Sequence, residues 1–292
     1  DVGIFSGLSS ASVQNLRIVS SSVEGMRRVG TLSGSDRGSL IRNVQISGIT
    51  GGSRNVGGAV GRSEGTIYNG VSVRASVRGD ENVGVMAGLS GSADSQDTVI
   101  RRSSVQTPSN RLVSGDSSVG GIVGRSLSTT VNQSYATVNV AGTENIGGAF
   151  GSAIESDLRS GYTAANIQST EGSSVGSVIG SARNIETSSF YWDESASDIP
   201  TAVGNLDRSL GLISLRTEQM QGETAQSEMS ELDFQNVWET TQTYPTVTNT
   251  PSQLYEVTVS VQNSTSEARI EDAAVSLDTR VLRGGEVTFA GL

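Results

Sequence analysis

Three carboxylates near residue 195 are the residues of this chain whose type and spacing most resemble a chemical site. Asp193, Glu194 and Asp198 could bind calcium or supply the acid pair of a glycoside hydrolase. The spacing is not that of an EF-hand, because the turn glycine and the terminal glutamate are missing. Glycoside hydrolysis depends on the separation of two acids in space, which two positions in a sequence do not give. We therefore expect solvated loop acids here.

Histidine and cysteine are both absent from the 292 residues. Their absence removes thiol nucleophiles, disulfides, most zinc sites and the commonest general base. An enzyme built from this chain would have to use carboxylates, serine or tyrosine. We expect no catalytic residue, no metal site and no cofactor.

The charge balance is acidic, with 20 basic and 30 acidic residues, a net charge of −10 and a pI near 4.6. This balance argues against a nucleic-acid partner. All the basic residues are arginine, which is expected of a protein secreted into high salt, as in haloarchaea. A GC-rich genome without salt adaptation is the alternative. The sequence contains no run of 18 apolar residues, so no membrane span is predicted.

The elements that would position any site come from a repeat. The stretch Val119–Gly124, with the sequence VGGIVG, has close copies in six other places. The steps between the first glycines are 27, 27, 27, 36, 27 and 29 residues, a period typical of a stacked repeat architecture. The copies occupy residues 2–7, 29–34, 56–61, 83–88, 119–124, 146–151 and 175–180.

A second element follows each motif by about a dozen residues and ends in an amide or a small polar residue. Alternation would turn these amides to the inner face of a strand, where they would stack between coils as a structural ladder. The predicted ladder residues are Asn15, Asn43, Asn69 and Gln133.

A third alternating piece closes several periods, clearest in residues 71–77 and 135–140. Each period then reads as three short strands and three corners. The sequence therefore predicts an all-β fold, a β-solenoid of about seven coils, with a length of roughly 30 to 35 Å at the usual strand spacing.

The 36-residue period holds nine extra residues, which we place between Ser90 and Ser118. Insertions in solenoids form loops on one face, which is often the binding face, although loops accept insertions cheaply whatever their function. The candidate partner-facing residues of this segment are Asp94, Asp97, Arg101 and Arg102.

The repeat ends after residue 192, and short helices are predicted beyond it. Large apolar residues there, including Trp238, suggest a cap over the open edge of the last coil. Trp192 and Trp238 could instead stack on a sugar. We divide the chain into a solenoid (1–192), a cap (193–247), a linker (248–253) and a partial β-module (254–292).

The motifs together resemble the GLUG-motif repeats of bacterial and archaeal surface adhesins and of some secreted peptidases. The glycine motifs, residues 131–140 and the sequence FYWD at residues 190–193 carry this resemblance, which extends to about residue 247. Copies two, four and seven depart from the pattern, with Thr31, Val85 and Ser177 where a second glycine is usual. The resemblance implies an extracellular scaffold without catalytic residues.

The last 39 residues contain three alternating segments that resemble the first strands of an immunoglobulin-like or prealbumin-like antiparallel sandwich. A complete sandwich needs about 100 residues. We expect either that the chain is a piece of a longer protein or that the missing strands come from another chain, which would link subunits into a filament.

Two sequons, at Asn132 and Asn263, match the N-glycosylation pattern. Alternation would place Asn132 on the outer surface, where a glycan could be attached.

The sequence thus favours a non-enzymatic surface or filament protein, with other copies of itself or cell-surface components as partners, carbohydrate among them. The alternatives are a carbohydrate-active β-helix enzyme and an accessory region of a secreted peptidase. An enzyme would need clustered acids on successive coils, and no acidic position recurs from repeat to repeat in the sequence.

Overall fold

The chain folds as a parallel β-solenoid, which confirms the predicted all-β class. The structure is a computed structural model that describes residues 1–92, 97–169, 174–206 and 209–248, together with the backbone of residues 255–260. Within these ranges, twenty-one strands join in one sheet. Each residue pairs with its equivalent in the next coil, as Val29 does with Val56 and Val56 with Val83.

We number the strands along the chain. Those that begin before residue 110 are β1 (Phe5–Ser9), β2 (Ser12–Glu24), β3 (Arg27–Gly30), β4 (Ser33–Arg37), β5 (Leu40–Gly51), β6 (Arg54–Gly57), β7 (Val60–Glu64), β8 (Ile67–Arg78), β9 (Glu81–Gly84), β10 (Ala87–Ser90), β11 (Thr98–Arg101) and β12 (Ser104–Gln106). Those that follow are β13 (Val113–Gly120), β14 (Val123–Leu127), β15 (Thr129–Asn132), β16 (Tyr135–Gly147), β17 (Phe150–Ser169), β18 (Val175–Gly176), β19 (Ile179–Asp193), β20 (Ile213–Leu215), β21 (Trp238–Glu239), β22 (Thr246–Val247) and β23 (Tyr255–Ser260).

Among the described residues, helical structure is confined to the region after the repeats. A 3₁₀ turn covers Thr217–Gln219, and the α-helix α1 covers Thr224–Glu228. In the part of the chain that the structure describes, no helix has the length and apolar character needed to cross a membrane.

Three corners of most coils are formed by single residues with a left-handed backbone, whose φ lies between 48° and 69°. Asn, Ser and Gly predominate there because they tolerate this conformation better than branched residues do. The first corner contains Arg28, Asn55, Asn82, Ser118, Asn145 and Ser174. The second contains Ser10, Gly38, Gly65, Ser128, Glu155 and Asn184. The third contains Asn15, Asn43, Gly70, Arg102, Gln133, Ser160 and Ser189.

The glycine motif forms a fourth bend, between strands such as β13 and β14. A Cβ atom on Gly120 would lie 2.1 Å from the carbonyl oxygen of Val123, and one on Gly124 would lie 2.3 Å from the backbone nitrogen of Val83. No side chain fits at either distance, because backbone packs directly on backbone. A coil therefore has four straight segments, one more than the sequence predicts.

A thin apolar core runs along the inside of the solenoid. The first hydrophobic residue of five successive motifs is fully buried there, at Val29, Val56, Val83, Val119 and Ile146. Burying an aliphatic side chain of this kind stabilises the fold by about 1.5–3 kcal/mol. Since each of these residues stacks on the next, the core is continuous from coil to coil.

Pairing continues beyond residue 192, where the repeats were predicted to end. Val203 bridges to Ile179, and β20 pairs with the end of β19, so an incomplete eighth coil follows the seven. Asn205 completes this coil with its side chain, since its amide accepts a hydrogen bond from the Ala182 N–H at 2.8 Å and donates one to the Ala182 carbonyl at 3.2 Å. The sequence AVG at residues 202–204 is the sequence signal for this eighth coil, because it resembles VIG at residues 178–180 in the coil before.

Residues 216–248 pack against the side of the solenoid, whereas the sequence predicts a cap over its end. An outward column formed by Tyr135, Tyr162, Tyr191 and Ile213 is covered there by Met220, Met229, Leu232, Val237 and Trp238. Aromatic rings on the outer face need such a cover to leave water. The region therefore buries a second core that spans four coils.

Candidate functional site

Asp193 is buried, in contrast to the solvated loop acid that the sequence predicts. Only 2% of its surface is exposed. Its carboxylate accepts hydrogen bonds from the Thr217 hydroxyl at 2.7 Å, from the Ser195 N–H at 2.8 Å and from the Tyr244 hydroxyl. Burial raises the pKa of Tyr244, and the neighbouring Asp193 carboxylate raises it further. Asp193 therefore joins the end of β19 to residues 216–248, which we call the C-terminal side region.

The other two acids of this cluster point elsewhere. Glu194 is exposed and lies 3.7 Å from the Arg216 guanidinium, and Asp198 is also exposed. Within the described ranges, no group of three His, Cys, Asp or Glu side chains is placed to hold a metal ion. The structure thus gives the three acids no common site.

The two tryptophans are enclosed in the two cores. Trp192 belongs to the interior core, whereas Trp238 lies in the side core with its ring centroid 5.7 Å from that of Tyr162. Both are at least 94% buried. Neither ring presents a face on which a sugar could stack.

The predicted amide ladder is shorter than expected. The Asn43 side-chain amide donates a hydrogen bond to the Asn15 side chain at 2.7 Å, but Asn69 lies one position out of register, beside Arg42. Gln133 accepts a hydrogen bond from the Arg102 guanidinium at 3.3 Å. These side chains are half-buried at the third corner or, for Asn69, directly before it, and do not face the core.

A second amide contact, which the sequence analysis missed, lies at the first corner. The Asn82 side chain donates a hydrogen bond to the Asn55 side chain at 2.8 Å. Its signal is an asparagine directly before the hydrophobic residue that opens the glycine motif, as also at Asn145. Backbone conformation explains this position, because asparagine is favoured where φ is positive.

The nine extra residues are divided between two corners. Val99 follows Ser90 by nine residues, whereas the equivalent Ile67 follows Ser63 by four. The remaining four residues lie in the connection between β12 and β13. The insertion therefore widens two separate corners of one coil.

Three of the four candidate residues of this insertion can be placed. Asp97 is exposed and accepts a hydrogen bond from the Ser128 hydroxyl. Arg101 and Arg102 are exposed at the end of β11 and at the third corner. Asp94 lies outside the described residues.

The two arginines belong to a larger surface, which we call the donor face. It comprises the outward positions of the short segment before the third corner, together with that corner, over the first five coils. It carries three arginines, six side-chain amides and no carboxylate, and the amides include that of the half-buried sequon residue Asn132. Asn263 lies outside the described residues. The donor face consists of Ser12, Leu40, Ile67, Val99, Thr130, Gln14, Arg42, Asn69, Arg101, Asn132, Asn15, Asn43, Gly70, Arg102 and Gln133.

Asp36 is a second buried carboxyl group, which sequence analysis did not single out. It is 3% exposed, points into the solenoid beside Ser63 of the next coil, and makes no hydrogen bond of good geometry with either carboxyl oxygen. Burial raises its pKa to about 6, although the hydroxyls of Ser39, Thr66 and Tyr68 act to lower it. The enclosed position gives this carboxyl no access to a substrate.

A shallow groove of about 430 Å³ follows another corner. Asp80 and Asp116 line it on neighbouring coils, and the Asp116 N–H donates a hydrogen bond to the Asp80 carbonyl at 2.9 Å. Arg78 lies beside them. This is one place where acidic residues stack from coil to coil, which the sequence analysis did not detect.

The edge of β2 that faces away from β5 is paired with β23, in parallel. Leu16 is the partner of Tyr255, Ile18 of Val257 and Ser22 of Ser260. A segment from near the C-terminus therefore continues the coil stacking at the N-terminal end.

Comparisons with known proteins give a limited set of likenesses. No family model matches the chain. A segment of 115 residues, 36% of this chain, is 31% identical to part of halomucin from Haloquadratum walsbyi, and the chain spans about 1% of that protein's length. A crystal structure from Bacteroides ovatus, whose name as an immunoglobulin A1 protease is provisional, aligns with a TM-score of 0.48 and 18% identity, over 82% of this chain and 75% of that one. Over about a third of its length, then, the chain is similar to a small part of a haloarchaeal protein.

Proposed function

We propose that this chain is a non-enzymatic extracellular structural or adhesion protein, a stiff solenoid stalk or a subunit of a cell-surface filament. The observation that carries the proposal is the stacking of equivalent residues from Phe5 to Leu215 in one parallel sheet. A stack of this kind resists bending because each coil is hydrogen-bonded to the next along the rod. Its outer faces present repeated groups to a partner at coil spacing.

The surroundings of the acidic residues support a structural role. Asp36 and Asp193 are enclosed. Glu64 and Glu81 form ion pairs between neighbouring coils, with Arg37 and Arg54 respectively, both at 2.6 Å. Carboxylates that are buried or paired in this way are poorly suited to act on a polymer substrate.

The likeness to halomucin and the resemblance to GLUG repeats both support a place at the cell surface. The acidic, lysine-free composition fits a haloarchaeal protein that works in high salt. Asn132 would then be available as a glycosylation site on the outer surface. Mass spectrometry of native material tests this part, since a peptide containing Asn132 without added hexose would contradict it.

We place the filament contact at the paired edge of β2. Thr248 is held at the level of the fifth or sixth coil, because its N–H donates to the Val237 carbonyl and Trp238 packs on Tyr135. Five coil steps, roughly 24 Å, separate the fifth coil from the level of β23. Seven residue steps from Thr248 to Tyr255 reach at most roughly 23–25 Å. Pairing within one chain therefore uses nearly the whole reach, whereas a strand from a second chain has no such restriction.

Single-cysteine variants test this contact, because the natural chain has no cysteine. Ser22→Cys and Ser260→Cys chains are refolded together, oxidised and separated without reductant. Strand exchange predicts a disulfide between position 22 of one chain and position 260 of the other, identified by mass spectrometry. A Ser188→Cys chain replaces Ser22→Cys as the control. A Ser22→Cys/Ser260→Cys chain that forms only an internal link, with none in the mixture, would overturn the exchange.

The absence of enzymatic activity is tested separately, with a panel of acidic and neutral polysaccharides and a protein substrate. We expect no turnover. The acid pair in the groove is the observation that favours a second candidate, a carbohydrate-active enzyme. Turnover that is lost in Asp80→Asn/Asp116→Asn would establish that candidate and refute the non-enzymatic proposal.

A further inference from the structure

The donor face differs in charge from the rest of the molecule. Its three arginines and lack of carboxylates give it a local charge of +3 on a chain whose net charge is −10. None of the ion pairs in the described part of the chain includes Arg42, Arg101 or Arg102. A locally positive strip of this kind attracts an anionic partner against the overall repulsion of the protein.

Its polar groups are mostly hydrogen-bond donors or amides. Arg42, Asn69 and Arg101 stand in register on three consecutive coils, and Asn132, the proposed glycosylation site, follows them on the next coil. Guanidinium and amide groups therefore alternate at a spacing of roughly 4.8 Å, and the two arginines are roughly 10 Å apart. Guanidinium groups bind carboxylate and sulfate through paired hydrogen bonds, and amides bind hydroxyls.

A narrow apolar column borders these donors. Leu40 and Val99 are partly exposed, and Ile67 is 38% exposed. Small apolar patches beside hydrogen-bonding groups suit the C–H faces of sugar rings. The face is long and narrow, about 19 Å over four coil steps.

The face has acidic limits. Beyond the fifth coil, Arg159 is paired with Asp157 at 2.7 Å and with Glu186 at 3.3 Å. Asp97 and Asp233 lie at the sides. The hydrogen bond from the Asn236 side chain is the main cause of the lowered pKa of Asp233, and the charge of Arg102 makes a smaller contribution. The positive strip is thus confined to the first five coils.

We propose that the donor face binds an acidic polysaccharide, with the polymer running along the rod and its carboxylate or sulfate groups on Arg42 and Arg101. The inference rests on the proposed surface function and names its partner. A linear polymer is favoured because the matching groups repeat along a straight line. The binding site is separate from the groove that contains Asp80 and Asp116.

Binding of polygalacturonate is measured by titration calorimetry at low and at high salt, with neutral dextran as the comparison. Wild-type protein binds polygalacturonate at low salt, binds less tightly as salt screens the charges, and does not bind dextran. Arg42→Glu/Arg101→Glu lowers the affinity at least tenfold. The matched control, Arg74→Glu/Arg183→Glu, makes the same change in net charge at two exposed positions on other faces. After the loss due to net charge alone is allowed for, this variant should retain at least half of the wild-type affinity.

Three results would overturn the proposal. They are an absence of polygalacturonate binding at low salt, equal losses in the two double variants, and low-salt self-association that only Arg42→Glu/Arg101→Glu abolishes, which would make a second copy the partner. Turnover of bound polygalacturonate would instead refute the non-enzymatic function while leaving the site in place.

Discussion

Tyr162 stacks on Tyr135 one coil away, with ring centroids 5.1 Å apart and ring planes within 8° of parallel. The Tyr162 hydroxyl donates a hydrogen bond of 2.6 Å to the carbonyl of Pro245, and its ring contacts Trp238 and Tyr244. One tyrosine therefore connects the repeat to the C-terminal side region through stacking, packing and a buried hydrogen bond.

Tyr162→Ala should destabilise the protein by about 3–5 kcal/mol, because a fully buried aromatic side chain is removed. Tyr162→Phe keeps the stacking and should cost about 1–3 kcal/mol, since the Pro245 carbonyl loses its donor. Urea unfolding measures both, and limited proteolysis should show earlier cleavage within residues 216–248. Equal effects of the two substitutions would contradict the importance of the ring stack.

Gly124→Ala should be strongly destabilising, by about 3 kcal/mol or more, because the new Cβ would lie 2.3 Å from a backbone atom of the preceding coil. Gly7→Ala is the matched control, since its Cβ would meet the Ser35 hydroxyl at 3.4 Å and the Ser35 carbonyl oxygen at 3.8 Å, which are both ordinary contacts. Thermal unfolding of the two variants compares them. A small effect of Gly124→Ala would show that the coils can separate locally without loss of stability.

Asp36→Asn should stabilise the protein above pH 6. The native pKa of Asp36 is about 6 and the ordinary value is 3.8, so between these two pH values the native state holds a proton that the unfolded state has lost. The contribution of this group to stability is therefore complete below pH 3.8 and falls as the pH rises through 6, by roughly 3 kcal/mol in all. Urea unfolding at pH 4.5 and 7.5 should show a larger advantage of Asp36→Asn at the higher pH, because only part of the loss has occurred at pH 4.5.

Asp116→Asn, which removes an exposed carboxylate in the same way, serves as the control for that experiment. If Asp36→Asn and the natural chain lost stability equally between the two pH values, the carboxyl would have to be hydrated in the native state.

Asp193→Ala should release the side region from the end of β19. Its removal leaves the partly buried hydroxyls of Thr217 and Tyr244 without their acceptor, at a cost of about 2–4 kcal/mol. Glu194→Ala, at an exposed neighbour, should change stability by less than about 0.5 kcal/mol. Hydrogen exchange of residues 216–248 distinguishes local release from global unfolding, and unchanged exchange in Asp193→Ala would refute the role of this carboxylate.

The solenoid could be predicted because its determinants repeat. The valine of each motif is buried in the same way in successive coils, so Val56 and Val83 carry the same information as Val119. The corners were harder to predict from the sequence, since a single asparagine such as Asn69 fits two registers that differ by one residue. In the structure Gly70 takes the corner, because glycine has the lower cost at positive φ.

The candidate sites depended on contacts between residues distant in sequence. Asp193 looked exposed beside Glu194, yet it is buried by Thr217 and Tyr244, which lie 24 and 51 residues away. The donor face likewise depends on the register of the strands, which places Arg42 and Arg101 on one line. Neither relationship has a local pattern from which it could be derived.

The C-terminal side region also makes the mechanical stability of the solenoid uneven along its length. Residues 216–248 cross-link the coils that contain Tyr135, Tyr162 and Tyr191, whereas the earlier coils are not fastened by this second layer. A repeat array yields first where its nearest-neighbour contacts are fewest. Under tension applied at its ends, the molecule should therefore unfold in two stages. The coils before Tyr135 should unfold first, while the later coils remain folded and limit the extension.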